Sequence, residues 1–162
     1  MVAFRAMTIP KLSADHLVLP AYDAHASRRF YGDLLGLPLI EALSGDDWGG
    51  YPWLMMIFGL GDGRQLVLCA LHGAKPVATG LPREVPHYAL SVKGDAELDT
   101  YRQRLRAAGI EHWEEDHDTQ HSIYFADPNG TILEITTPNS ATAIEPNPEA
   151  DGAIERWLTK HR

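Results

Sequence analysis

The sequence predicts an α+β fold made of two successive βαβββ modules, and three observations carry that prediction. Runs that alternate apolar and polar residues, the two-residue period of a half-buried strand, open each half of the chain at DHLVLP and HYALSV. Each of these runs is followed by an Asp, a stretch with helical periodicity and a Gly. The landmarks then recur in order: His16, Asp23 and Gly63 in the first half, His87, Asp95 and Gly130 in the second, which is the mark of an internal duplication.

The first module spans residues 13–71. In DHLVLP, His16 and Val18 fall on one face and Leu17 and Leu19 on the other. Asp23 is placed to cap a helix running through AHASRRFYGDLLG, with Phe30, Leu34 and Leu35 on its apolar side and Gly36 to end it. Strands are expected at Leu37 to Leu43, Trp53 to Phe58 and Gln65 to Leu71, separated by the turn-rich SGDDWGGYP and GLGDGR. Residues 72–84 hold two prolines and two glycines with little periodicity, and read as a linker. The second module, residues 85–137, repeats the order: HYALSV, then Asp95 capping AELDTYRQRLRAAG, then strands at Ile110 to Glu115, His121 to Ala126 and Thr131 to Thr137. Residues 138–162 form an extension whose last stretch, AIERWLTKHR, can make a short helix.

The strongest local signal is HSIYFADPNGTILEITT, a hairpin closed on Asp-Pro-Asn-Gly, where proline presets φ and Asn-Gly accepts positive φ. Strand parity puts Ser122 and Tyr124 on one face and Ile123 and Phe125 on the other. Glu134 is then a carboxylate in the middle of an apolar strand, where burial costs several kcal/mol without a cation or hydrogen-bonding partner. Three residues thus interrupt strands at chemically useful places: His16 and His87 early in the first strand of each module, and Glu134 in the last strand of the second. If the modules pair their sheets about a pseudo-twofold axis, the three converge as two imidazoles and a carboxylate on one face of a divalent ion. The alternative is that each histidine bonds a backbone group and Glu134 pairs with a Lys or Arg.

Composition narrows the function classes. The chain has 162 residues, 44% hydrophobic and 22% charged, which fits one domain or two fused modules. A net charge of −8 without a basic patch argues against nucleic acid or an anionic membrane as partner, leaving a small-molecule substrate. The single cysteine, Cys69, lies in the apolar run QLVLCAL and reads as a buried thiol, and a cytoplasmic location is expected. No stretch is long and apolar enough to span a bilayer.

With those residues in place, the chain resembles the vicinal oxygen chelate superfamily, which includes glyoxalase I, bleomycin-resistance proteins, fosfomycin-resistance proteins and extradiol ring-cleaving dioxygenases. DHLVL and SRRFYGDLLGLPL in the first module, and HYALSV and SIYFADPNGTILEI in the second, carry the likeness over about residues 13 to 137. The resemblance implies curved mixed sheets around a central metal cavity, with His16, His87 and Glu134 at the ligand positions. It also implies a homodimer, in which His16 of one subunit can complete the site of another.

Counting from the turn glycines, Glu134 corresponds to Val67 in the first module, and valine neither ligates nor moves a proton. That departs from glyoxalase-type isomerases and is similar to dioxygenases and fosfomycin-resistance enzymes. HWEEDHDTQHSIYF, with Trp113, Ser122 and Tyr124, resembles the latter, yet Glu114, Glu115, Asp116 and Asp118 repel a phosphonate dianion. The resulting expectation is an extradiol-type dioxygenase for a small diol or enolate chelator, using one divalent ion, Fe(II) or Mn(II) ahead of Zn or Ni. Tyr124 and His121, or His117, are the candidate acid–base groups, with Tyr124, Trp53 and Ser122 lining the substrate site. The alternatives are a glyoxalase-like lyase or isomerase, a thiol transferase, or a metal-free binding protein of the bleomycin-resistance kind.

Overall fold

The computed structural model describes residues 13–78, 80–82, 85–116, 120–138 and 148–160. Its first module holds β1 (His16–Ala21), α1 (Ala24–Arg28), β2 (Leu39–Trp48), β3 (Tyr51–Gly59) and β4 (Gln65–Leu71). The second holds β5 (His87–Ser91), α2 (Asp95–Ala107), β6 (His112–Asp116), β7 (His121–Ala126) and β8 (Ile132–Thr136), and α3 (Ala150–Lys160) follows. The βαβββ order therefore occurs twice, as the duplication requires. The strands form two four-stranded sheets, ordered β1-β4-β3-β2 and β5-β8-β7-β6, each with its first strand parallel to its last.

Local chemistry explains most boundaries. The Asp23 carboxylate accepts the Ala26 amide at 2.8 Å and so caps α1. Past Arg28 the helix widens into a π-helical turn over Arg29–Leu34, and that wider turn buries two consecutive aromatic residues, Phe30 and Tyr31. Gly36, at φ 76°, ends it. Two expectations need correction. SGDDW is strand rather than loop, because Gly49 and Gly50, at φ 61° and 92°, make a tight two-residue hairpin turn. Asp95 does not cap α2 but is its first residue; Gly94 occupies the cap position.

The modules share one core. Leu19, Phe30, Tyr31, Phe58, Leu66 and Leu68 from the first pack with Leu98, Leu105, Ile123, Phe125, Leu133 and Ile135 from the second. Phe30 meets Phe125 at 6.1 Å between ring centroids, and Tyr31 meets Phe58 at 5.9 Å. Across the same junction, Arg104 donates to the carbonyls of Asp33 and Leu34, and the Tyr101 hydroxyl donates to that of Leu35. The modules meet through their helix sides, and β1 and β5 stand at sheet edges; among the described residues the pairing that would make them central does not occur. Among the described residues no helix is long and apolar enough to cross a membrane.

Candidate metal centre

The second sheet gathers most of the expected site on one face. In the β7–β8 and β5–β8 ladders Glu134 lies opposite Tyr124 on one side and Ala89 on the other, with His87 one row away. The His87 Nε2 atom is 3.2 Å from Glu134 Oε2. The carboxylate is sheltered, Glu134 being 7% exposed, whereas the imidazole remains reachable with its side chain 37% exposed. Tyr124 hydrogen-bonds Glu134, meets the His87 ring edge-on at 5.6 Å and stacks on Trp113 at 5.2 Å with 13° between planes. Burial, then the hydrogen bond and charge of Glu134, then the charge of Glu115, push the Tyr124 hydroxyl up to about 12. It therefore stays protonated and can donate a hydrogen bond at neutral pH. One row further, the Ser122 hydroxyl is buried and donates to Thr136 Oγ1 at 2.8 Å.

His16 lies elsewhere. Its Nδ1 is 2.7 Å from Asp15 Oδ2 in an exposed pair, and no group of three His, Cys, Asp or Glu side chains able to hold a metal occurs among the described residues. One chain thus brings together His87 and Glu134 but leaves His16 apart. His16 instead rims a groove of about 930 Å³ between the modules, lined by Leu17, Tyr101 and Ile135; neither His87 nor Glu134 lines it. The ladders confirm the equivalence of Val67 and Glu134: Val18 faces Val67 across β1 and β4, as Ala89 faces Glu134 across β5 and β8. Cys69, in β4, is part-buried, and burial pushes its thiol up, away from the reactive thiolate.

His121, expected as an acid–base group, projects from the opposite face of β7, the face that carries Ile123 and Phe125 into the core. Its Nδ1 is 2.8 Å from Asp95 Oδ1 at the start of α2, so it is removed from Glu134. His117 lies outside the described residues. Trp53 belongs to the first sheet, edge-on to Trp48 at 5.8 Å and packed where a Cβ on Gly45 would sit. Glu115 is the functional candidate that sequence reading treated only as a repulsive charge. It pairs with Ser122 and so shares the Glu134 face, and the alternation in HWEED, Trp113 and Glu115 together, carries the signal.

The Asp95 contact makes His121 a measurable probe of this placement. The hydrogen bond that the imidazole donates to Asp95, reinforced by the charges of Asp95 and Asp116, holds the imidazole above the ordinary histidine range. An NMR titration is expected to give a raised midpoint for His121, and Asp95→Asn to bring it back down. A midpoint indifferent to Asp95 would contradict the described geometry.

Comparison with known proteins agrees with this architecture. A family model described as the Glyoxalase/Bleomycin resistance protein/Dioxygenase superfamily matches residues 13–135. A curated protein, "Glutathione transferase FosA" of Serratia marcescens, is 28% identical over 132 residues, covering 82% of this chain and 85% of that protein. Among solved structures, a glyoxylase/bleomycin resistance protein/dioxygenase domain from Frankia sp. EAN1pec superposes with a TM-score of 0.66 at 21% identity, over 79% of this chain and 98% of that one. Lactoylglutathione lyase from Agrobacterium tumefaciens gives a TM-score of 0.58 at 21% identity, over 83% and 99%. At those identities the two structures show a shared fold.

Proposed function

Since the chain belongs to the glyoxalase/bleomycin resistance protein/dioxygenase superfamily, we propose that it is a metal-dependent enzyme in which His87 and Glu134 hold a divalent ion for a small oxygen-chelating substrate. The His87–Glu134 pair carries this reading. A sheltered carboxylate in an apolar strand calls for positive charge, and a reachable imidazole 3.2 Å away completes a donor pair suited to Fe(II), Mn(II), Zn(II) or Ni(II).

Two ligands are too few for tight binding, and the third is His16 of a second copy. Among the described strands β1 and β5 each stand at a sheet edge, and an edge strand favours pairing with another chain. A homodimer that joins β1 of one chain to β5 of another with the starts of the two strands side by side would put His16 next to His87. A bound ion supplies Lewis acidity that polarises a substrate oxygen. Around it, the Tyr124 hydroxyl gives its one proton to Glu134 and so orients that ligand, and Glu115, on the same face, is a carboxylate that can take a proton.

Among reactions open to such a centre, Lewis-acid transfer to a thiol ranks first, because the curated relative is a glutathione transferase. Ring-opening oxygenation of a diol is the second reading, supported by Tyr124 beside the ligand carboxylate. Protein purified without chelators should carry divalent metal at up to one ion per chain, and its activity should divide the two reactions. Glutathione consumption with electrophiles supports transfer. Oxygen uptake with catechols under Fe(II) or Mn(II) supports oxygenation, and a protein that takes up no metal sinks both.

A further inference from the structure

Strand parity gives the two sheets contrasting faces. On the second, the row through Glu134 reads Ala89, Glu134, Tyr124, Trp113 and the next reads Ser91, Thr136, Ser122, Glu115, both with polar groups. On the first, the row equivalent to that of Glu134 reads Val18, Val67, Ile57, Glu41, and the next brings Met55 and Leu43. Apart from Glu41 at the outer edge and Gln65 beside His16, this face is apolar. Val18 is 51% exposed and Leu43 42%, so an apolar surface of several side chains begins one row from His16.

We infer that the substrate is amphiphilic, with an oxygen-bearing chelating head at His87 and Glu134 and an uncharged apolar tail lying on Val18, Ile57, Met55 and Leu43, with the buried Val67 beneath them. The inference rests on the proposed metal site and on His16 joining it from a second copy. With His16 beside His87, the face bearing His16 continues the face bearing Glu134, so a ligand chelated at the ion meets polar groups on one side and this apolar wall on the other. A charged tail would lose its hydration against valine and isoleucine without gaining a partner. A dianionic head would also meet Glu115 on the polar side. An alkyl or aryl tail gains from burial on the same surface.

Hydroxamates test this without turnover, because they chelate through two oxygens and their tails can be lengthened at constant head chemistry. Titrating Mn(II)-loaded protein calorimetrically, octanohydroxamate should bind roughly 100-fold tighter than acetohydroxamate, a part of what full burial of the added methylenes would give. The Leu43→Ser, Ile57→Ser double variant, checked for an unchanged fold by circular dichroism, should lower that preference by about tenfold or more. Protein that takes up Mn(II) and binds both hydroxamates equally overturns this inference alone. Protein that takes up no Mn(II) overturns the metal reading as well. If the double variant turns dimer into monomer in sedimentation, the face is a contact between copies and the inference is overturned.

Discussion

Glu134→Gln is expected to weaken Mn(II) binding by on the order of 1,000-fold while leaving the metal-free protein at least as stable as the parent. The two effects have opposite signs for one reason. In the metal-free chain Glu134 is a sheltered carboxylate facing a half-exposed imidazole and a tyrosine, so its negative charge is poorly compensated. The amide keeps the shape and can still accept from Tyr124, but it removes the buried charge. His87 loses little, since its side chain is 37% exposed and can turn to water. With metal present the same charge becomes the main attraction for the ion, and losing it should cost roughly the 3–5 kcal/mol typical of breaking a buried pair. Calorimetric Mn(II) titration and thermal unfolding without metal measure the two halves separately. Parent-like metal affinity in the variant would show that Glu134 is not a ligand.

How legible was this site in the sequence? The periodicities at DHLVLP, HYALSV and HSIYFA placed the strands, and the duplication assigned Val67 to the place of Glu134, which the β1–β4 and β5–β8 registers bear out. Those signals are local, fixed by side-chain alternation within one strand. His16 was harder, because its neighbours depend on which edge β1 pairs with, and hydrophobic alternation specifies a face but not a partner strand. For His121 residue type and parity point different ways: an imidazole suits acid–base work, but odd-numbered positions of β7 face α2 and the core. SGDDW resembles a turn because Gly, Asp and Ser are turn formers, whereas Gly49-Gly50 alone closes the hairpin and the preceding residues pair with β3.

The second large effect lies in the Asp-Pro-Asn-Gly turn, where sequence reasoning saw a hairpin and the structure adds a junction between modules. Asp127 is 5% exposed. Its Oδ1 accepts the amides of Asn129 and Thr131 at 2.9 and 2.8 Å, and its Oδ2 accepts the Tyr31 hydroxyl and Asn129 Nδ2, each at 2.9 Å. Asn129 in turn accepts the Tyr22 amide at 2.7 Å and donates to Ser27 Oγ at 2.9 Å, so the turn of the second module grips the start of α1 in the first. Asp127→Ala strips all four of those acceptances at once and leaves the Tyr31 hydroxyl, in a fully buried residue, without its acceptor. The expected loss is roughly 3–5 kcal/mol, a large share of the 5–15 kcal/mol that folds a typical domain, and about 6–20 °C in Tm. Tyr31→Phe should cost only about 1–2 kcal/mol, since Asp127 keeps three donors, and the double variant should lose less than the sum. Tyr31 also gives the junction a pH signature. Burial first, then the charge and hydrogen bond of Asp127, hold its hydroxyl far above its ordinary value near 10, so the folded chain keeps a proton that the unfolded chain releases above that pH. Stability from this group is therefore complete below pH 10 and falls as pH rises beyond it. Urea unfolding followed between pH 8 and pH 11 should show a steeper alkaline decline in the parent than in Tyr31→Phe, by the one proton that Tyr31 retains. Equal slopes would mean that the Tyr31–Asp127 bond does not hold the modules together.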